Sequence, residues 1–157
     1  MRMCTTAMAA ATLALGVVAS SPVSAEILLT KARTNAYNVP NDAVPAPLDN
    51  AGTNFLTFNA TKKGIVVITY NAECAATGTA GDFVGLQIRV DGKPTNPKTV
   101  AGEFAFCTAS GDTEIFTAVS RQAFINVKEG SHIVEVIISR FGAASGRIDD
   151  SSIVIFD

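Results

Sequence analysis

The stretch EGSHIVEVIISRFGAASGRIDDSSIVIFD (129–157) contains two apolar runs, HIVEVII and SSIVIF, separated by small residues. Successive side chains of a β-strand point to opposite faces. In the first run one face carries His132, Val134, Val136 and Ile138, and this more apolar face is predicted to lie against the core. The stretch therefore predicts two strands joined by a turn, and it sets the fold class for the rest of the chain.

Short β-rich runs of the same kind recur along the chain, with polar turn residues between them at intervals of roughly ten residues. The Asp91-Gly92 pair is a strong hairpin signal because both residues tolerate positive φ. Three prolines between residues 40 and 47 predict an extended connection, and residues 26–50 are expected to form an arm laid across a sheet. Eight to ten strands are predicted, in an all-β antiparallel sandwich or barrel. The predicted strands include FVGLQIRV (83–90), TEIFTAVS (113–120) and RQAFINV (121–127).

The first 25 residues have the pattern of a signal peptide. A positive charge at Arg2 precedes an apolar stretch, and the sequence VSA suits cleavage after Ala25. The alternative is an N-terminal helix or anchor, but an apolar stretch of about 14 residues is too short to span a bilayer comfortably. Residues 26–157 are then predicted to be a single exported domain that is secreted, periplasmic or at the cell surface.

The charge of the exported domain argues against a nucleic-acid partner. Removal of Arg2 leaves 11 basic and 14 acidic residues, which gives a formal charge of −3. Such a chain lacks the basic footprint of a nucleic-acid-binding protein. No second apolar run is long enough to span a membrane, so no span is predicted after signal cleavage.

Signal cleavage leaves two cysteines, Cys74 and Cys107. Two cysteines in an exported domain predict one disulfide bond, and the alternative is a pair of buried free thiols. Both cysteines follow predicted strands, so the bond is expected to join strand ends and to stabilise the domain by about 3–4 kcal/mol.

No catalytic arrangement is predicted. His132 is the only histidine, and it is expected to hydrogen-bond the turn backbone while its ring covers the edge of the core. Ser131 points to the opposite strand face and cannot partner it, and no G-x-S-x-G motif is present. A zinc site lacks ligands. A catalytic pair of converging carboxylates, as in a glycosidase, remains an open alternative to the absence of a catalytic site. No cofactor is predicted.

Scattered carboxylates are the remaining polar candidates. Asp149 and Asp150 are adjacent, so one is predicted to face solvent, while the other could accept hydrogen bonds from turn amides or bind calcium. Asp82 and Asp112 in neighbouring loops complete the calcium candidates. None has the dense acidic spacing of a calcium loop, so no metal site is predicted. The nine phenylalanines are predicted to fill the core, with a ligand groove as the alternative.

The closing stretch resembles the final hairpin of galactose-binding-like jelly-roll domains, which include many carbohydrate-binding modules, so its two strands are expected to pair as a hairpin. The matching positions are Gly130, His132, Val134, Val136, Ile148 and Asp149. The resemblance implies a jelly-roll sandwich in which His132 and Asp149 belong to the strand architecture. In such modules sugar is usually held on tryptophan or tyrosine platforms. This chain has no tryptophan, so Tyr37 and Tyr70 are the candidate ligand-binding residues.

Two functions are consistent with the sequence. The first is a non-enzymatic exported β-sandwich with a structural, adhesive or protein-binding role. The alternative is a carbohydrate-binding module of jelly-roll type. The expected partner is accordingly a surface protein or a glycan, and an enzyme is the third choice because fold does not fix function.

Overall fold

The computed structural model describes residues 25–98, 104–142 and 145–157. Except for Ala25, the predicted signal peptide lies outside the described residues. Those residues form strands and turns, and no helix within the described ranges is long and apolar enough to cross a membrane.

Within the described ranges, eleven antiparallel strands form two sheets. They are β1 Ile27–Arg33, β2 Tyr37–Asn38, β3 Val44–Pro45, β4 Leu56–Ala60, β5 Gly64–Thr77, β6 Phe83–Val90, β7 Lys93–Pro94, β8 Ala105–Thr108, β9 Thr117–Val127, β10 Gly130–Phe141 and β11 Ser145–Phe156. Sheet A has the order β1-β11-β5-β9, with β2 paired to β11. Sheet B has the order β3-β10-β6-β7, with β4 paired to β10 and β8 paired to β6. The all-β, jelly-roll-like sandwich is confirmed, and the two-residue strands β2, β3 and β7 account for the excess over the predicted number.

The two closing strands are present, but they do not pair with each other, so the predicted C-terminal hairpin is wrong. β10 lies inside sheet B and β11 inside sheet A, so the two strands belong to different sheets. Val134, Val136 and Ile138 of β10 are fully buried between the sheets, as predicted from their alternation. Burial of a side chain of this size stabilises the fold by about 1.5–3 kcal/mol.

The arm over residues 26–50 runs along both sheets. β1 pairs with β11 at the edge of sheet A, where Ile27 lies opposite Phe156. Just before β1, the backbone of Glu26 accepts a hydrogen bond from Asp157 N–H at 3.2 Å. The chain then crosses to sheet B, where Ala46 N–H donates to the carbonyl of Val136 at 2.8 Å. The expectation of an extended arm is therefore confirmed.

The predicted disulfide joins Cys74 of β5 to Cys107 of β8, with a Cα–Cα distance of 6.0 Å. Both cysteines are buried in the core. Because β5 belongs to sheet A and β8 to sheet B, the bond fastens one sheet to the other.

The prediction that phenylalanines fill the core is wrong for most of them. Only Phe58 and Phe106 are buried, while Phe55 and Phe124 are exposed. The core is filled mainly by aliphatic side chains, because the inward positions of the central strands are valine, isoleucine and leucine. Several phenylalanines therefore lie on the outer faces of the sheets.

Candidate functional site

Three turns at one end of the sandwich carry most of the lysines. The β4–β5 turn holds Lys62 and Lys63, the β6–β7 turn leads into Lys93, and the β9–β10 turn begins at Lys128. Lys98 follows β7 and lies beside Lys93. Five of the six lysines in the chain are thus at this end.

Two adjoining cavities lie among these turns. The first has a volume of about 400 Å³, and the second, of about 370 Å³, shares Lys93, Ile125 and Asn126 with it. Together they form what we call the lysine groove. Its side chains that can contact an anion or a hydroxyl are Lys63, Lys93, Lys98, Lys128, Asn96 and Asn126.

Most of the groove's positive charge is not neutralised by the protein. Lys62, at the margin, lies 3.2 Å from the carboxylate of Asp157. The groove lysines, Lys63, Lys93, Lys98 and Lys128, are exposed and form no ion pair within the described part of the chain. The groove therefore presents four ammonium groups to solvent.

A histidine–aspartate pair closes the inner wall of the groove. Nδ1 of His132 lies 2.7 Å from Oδ2 of Asp91, and Nε2 lies 2.9 Å from the carbonyl of Lys128. Both partners only accept hydrogen bonds, so the doubly protonated ring satisfies both contacts. The ring also packs on Phe58, with centroids 5.4 Å apart. The predicted structural role of His132 agrees with this geometry.

The pKa values of the pair diverge from their ordinary values for identifiable reasons. The largest effect on His132 is the hydrogen bond to Asp91, which raises its pKa. Burial lowers the pKa by a smaller amount, and the hydrogen bond to the Lys128 carbonyl raises it again, so the pKa lies above its ordinary value. For Asp91, burial alone would raise the pKa. Hydrogen bonds from His132 and from the backbone N–H of Ile133, at 2.9 Å, outweigh burial and bring the pKa below its ordinary value.

The two tyrosines proposed as ligand platforms lie elsewhere. Tyr70 has 1 % of its surface exposed and packs on Phe106 inside the core, with ring centroids 5.7 Å apart, so its ring cannot form an external platform. Tyr37 is half-buried, with the guanidinium of Arg33 5.7 Å from its ring centroid. Burial raises the pKa of Tyr37. Neither tyrosine lines the lysine groove.

The four calcium candidates are not brought together. The carboxylate of Asp82 accepts hydrogen bonds from the backbone and hydroxyl of Thr79 and so holds a turn. Asp112 is exposed in the loop before β9. Across residues 25–98, 104–142 and 145–157, no group of three or more histidine, cysteine, aspartate or glutamate side chains could hold a metal ion.

Asp150 is exposed, in agreement with the prediction that one of the adjacent aspartates faces solvent, but the two do not point to opposite faces as strict strand alternation requires. A β-bulge in β11 leaves Asp150 without a partner on β5, while Asp149 pairs with Glu73 and Ser151 with Ala72. Ile148 and Ser151 are both buried, so the two aspartates between them share the outer face of sheet A. Asp150 has a φ of 30°, in the left-handed region.

This bulge borders a second recess, of about 340 Å³, on the outer face of sheet A. We call it the acidic recess. Its polar side chains are Asn71, Glu73, Ser120 and Asp150. The recess was not predicted, because it depends on the register of three strands that are distant in sequence.

The lysine groove was also missed, although the sequence contained a signal for it. The motifs KKG, DGK and KEG each place lysine at a turn. Alternate turns of an antiparallel sheet meet at the same end, so lysines at several turns can converge there.

Comparisons with known proteins give distant structural similarities. No family model matches the chain, and no curated protein matches it. The latent PorU of Porphyromonas gingivalis is 12 % identical, with a TM-score of 0.40 over 87 % of this chain, which spans only 14 % of that protein. A family 35 carbohydrate binding module from Clostridium thermocellum is 16 % identical, with a TM-score of 0.39 over 83 % of this chain and 98 % of that module.

A further similar structure is a carbohydrate binding module from Cellvibrio mixtus lichenase 5A in complex with cellotriose. It is 16 % identical, with a TM-score of 0.35 over 83 % of this chain and 88 % of the module.

Proposed function

We propose that residues 26–157 are an exported, non-enzymatic module that binds an anionic glycan in the lysine groove. The observation that supports this most is a set of four lysines around two adjoining cavities that have no ion-pair partner among residues 25–98, 104–142 and 145–157. Like charges gathered at one end of the sandwich repel one another, and an anionic ligand would relieve that repulsion. The disulfide is compatible with export.

The uncharged part of the groove favours a sugar chain over a small anion. Asn96 and Asn126 can donate and accept hydrogen bonds, which suits hydroxyl groups. Ile125 contributes apolar surface to both cavities, which suits the C–H face of a pyranose ring. Two joined cavities accommodate an extended ligand. An acidic polysaccharide has carboxylates or sulfates, hydroxyls and apolar ring faces in one molecule.

The state of the only histidine supports binding without catalysis. Both nitrogens of His132 are engaged in hydrogen bonds, and both oxygens of Asp91 accept one, from His132 and from Ile133 N–H. A general base needs a free lone pair near the substrate. His132 and Asp91 therefore form the inner wall of the groove and hold its turns in place. We expect the glycan to be released chemically unchanged.

Affinity electrophoresis in gels containing polygalacturonate, with neutral galactan as the uncharged comparison, tests the proposal. We expect retardation by polygalacturonate alone. Exposed ion pairs are each worth up to about 1 kcal/mol, so Lys93→Ala and Lys98→Ala should each weaken retardation several-fold. Lys31→Ala, on β1 and outside the groove, is the matched control. Equal mobility in all gels, or an equal effect of Lys31→Ala, would refute the proposal.

A protein-binding role has separate support. An apolar row on the outer face of sheet A is exposed, and it lies outside the lysine groove.

A further inference from the structure

An exposed row of apolar side chains crosses the outer face of sheet A. The strand register places Ile27 of β1 opposite Phe156 of β11, Phe156 opposite Val67 of β5, and Val67 opposite Phe124 of β9. Val67 and Phe156 follow buried residues on their strands, so their side chains point outward. Ile27 and Phe124 pair directly with them and therefore share that face. Ile27 is 67 % exposed and Phe124 45 % exposed. We call these four residues the apolar row.

The row is extended by a neighbouring side chain. Ile65, two residues before Val67 on the same face of β5, is 54 % exposed. Ile27, Ile65 and Phe124 are half of the large exposed hydrophobic residues in the described part of the chain. A contiguous apolar patch on a protein surface commonly marks an interaction site.

The charges on the same face are distributed unevenly along the strands. Glu73, Asp149 and Asp150 lie together beyond one side of the row, around the acidic recess. Lys63 and Lys128 lie beyond the other side, at the turns that begin β5 and follow β9. Arg147, two residues before Asp149, also lies at this end and pairs with Glu114 at 3.5 Å, so carboxylates remain in excess there. The face therefore has an acidic end, apolar side chains in between and lysines at the other end.

This distribution identifies a second copy of the chain as the partner. In a face-to-face dimer with its two-fold axis along the apolar row, each row residue meets its own counterpart. The same rotation reverses the strand direction, so the acidic end of each copy faces the basic end of the other. An axis parallel to the strands would instead place the carboxylates of both copies together. We propose that the chain forms a two-fold dimer through the outer face of sheet A, with the axis along the apolar row.

The strand spacing is consistent with that pairing. Glu73 is six residues from Val67, or about 20 Å along β5. Lys63 is four residues from Val67 in the other direction, or about 13 Å, and an extended lysine side chain adds about 6 Å. Each Glu73 carboxylate can therefore reach the partner copy's lysine end. Isologous contacts of this kind are the common basis of two-fold dimers.

Sedimentation equilibrium of the purified protein, without glycan, tests the dimer. We expect a concentration-dependent monomer–dimer equilibrium. Phe124→Asp should raise its dissociation constant by on the order of 30-fold, as expected for a central apolar contact. Ile133→Asp is the matched control, since Ile133 is 44 % exposed but lies on sheet B. A monomer at all concentrations, or equal effects of the two substitutions, would overturn the proposal.

Charge reversal tests the orientation of the axis. Glu73→Lys and Lys63→Glu should each weaken the dimer, and the double variant should recover most of the loss because each lysine again meets a carboxylate of the partner. Circular dichroism establishes that each variant is folded. An additive loss in the double variant would exclude this axis. The two proposals share Lys63 and Lys128, but the glycan test uses Lys93 and Lys98, and the sedimentation measurement contains no glycan. Failure of the dimer would therefore leave the glycan proposal standing, and the converse also holds.

Discussion

His132 and Asp91 tie together two turns that are far apart in sequence: Nδ1 of His132 lies 2.7 Å from Oδ2 of Asp91. Asp91 belongs to the β6–β7 turn, and His132 follows the β9–β10 turn. The second oxygen of Asp91 accepts the backbone N–H of Ile133 at 2.9 Å, so the carboxylate holds both the side chain and the main chain of β10. The inner wall of the lysine groove depends on this contact.

The contact should make stability depend on pH. Because the pKa of His132 is raised, the stabilisation of the fold by protonated His132 is fully present below the ordinary pKa of 6.5. This stabilisation is lost as the pH rises through the pKa of the folded state. The lowered pKa of Asp91 means that its contribution is present above the ordinary value of 3.8 and is lost as pH falls through the folded pKa. The pair is therefore most stabilising between these values.

Urea unfolding at about pH 5.5 and about pH 8.5, which are below and above the ordinary histidine pKa of about 6.5, measures this dependence. The half-exposed carboxylate limits the difference to about 1 kcal/mol. Asp91→Asn, which keeps the shape but removes the charge, should abolish most of the His132 contribution to the difference. An unchanged pH dependence in Asp91→Asn would show that another group is responsible.

The disulfide should stabilise the fold without determining it. Replacing both Cys74 and Cys107 by serine should lower the free energy of unfolding by about 2–4 kcal/mol. The remaining strand packing should keep the chain folded, with an unchanged far-ultraviolet spectrum. Mass spectrometry without reductant checks the bond itself, and two free thiols in the native protein would contradict it.

Two strand glycines should respond differently to alanine. A Cβ on Gly146 would lie 2.7 Å from Cγ2 of Val84 in the core, whereas a Cβ on Gly64 would meet nothing within 4 Å. Gly146→Ala should therefore cost about 1–3 kcal/mol through overpacking. Gly64→Ala should be neutral or stabilising by up to about 1 kcal/mol, since alanine restricts the unfolded chain. Similar melting temperatures for the two variants would contradict this assignment.

The bulge in β11 predicts a contrast between adjacent aspartates. Because Asp150 has a φ of 30°, Asp150→Gly should leave stability unchanged or raise it by up to about 1 kcal/mol. Asp149 pairs regularly with Glu73, so Asp149→Gly should lower stability by about 1 kcal/mol. Thermal unfolding of the two variants measures the contrast. A larger loss in Asp150→Gly would indicate that the Asp150 carboxylate stabilises the fold.

Binding of an acidic glycan should weaken steeply with salt. Charges at the surface are screened over about 8 Å at physiological ionic strength and over about 3 Å at 1 M. Retardation by polygalacturonate should therefore decline progressively between these conditions. Salt-insensitive binding would point to apolar contacts, such as those of Ile125, as the main source of affinity.

Local patterns in the sequence predicted the fold better than the sites. The run FVGLQIRV corresponds to β6 residue for residue, because an alternating apolar run and the following Asp91-Gly92 turn define both its face and its end. The runs at 113–120 and 121–127 were predicted as separate strands. The structure instead has β9 from Thr117 to Val127, since no turn residue separates them.

The sites depend on which distant strands become neighbours. Residues 27, 67, 124 and 156 form one row only because β1, β11, β5 and β9 are adjacent in sheet A in that register. Alternation assigns each of these residues to a face, but it does not specify the neighbouring strand. The bulge at Asp150 interrupts the alternation of inward and outward side chains along β11. The sequence has no glycine at that position that would predict a bulge.

The pairing of β1 with β11 also determines how the domain would respond to tension. The start of β1 lies beside the end of β11, so a force that separates Glu26 from Asp157 would open the hydrogen bonds of that pair one after another, as in unzipping. Such a geometry yields at low force. The bond between Cys74 and Cys107 would then limit the extension, because it keeps about 33 residues, or roughly 110 Å of contour length, from being stretched out.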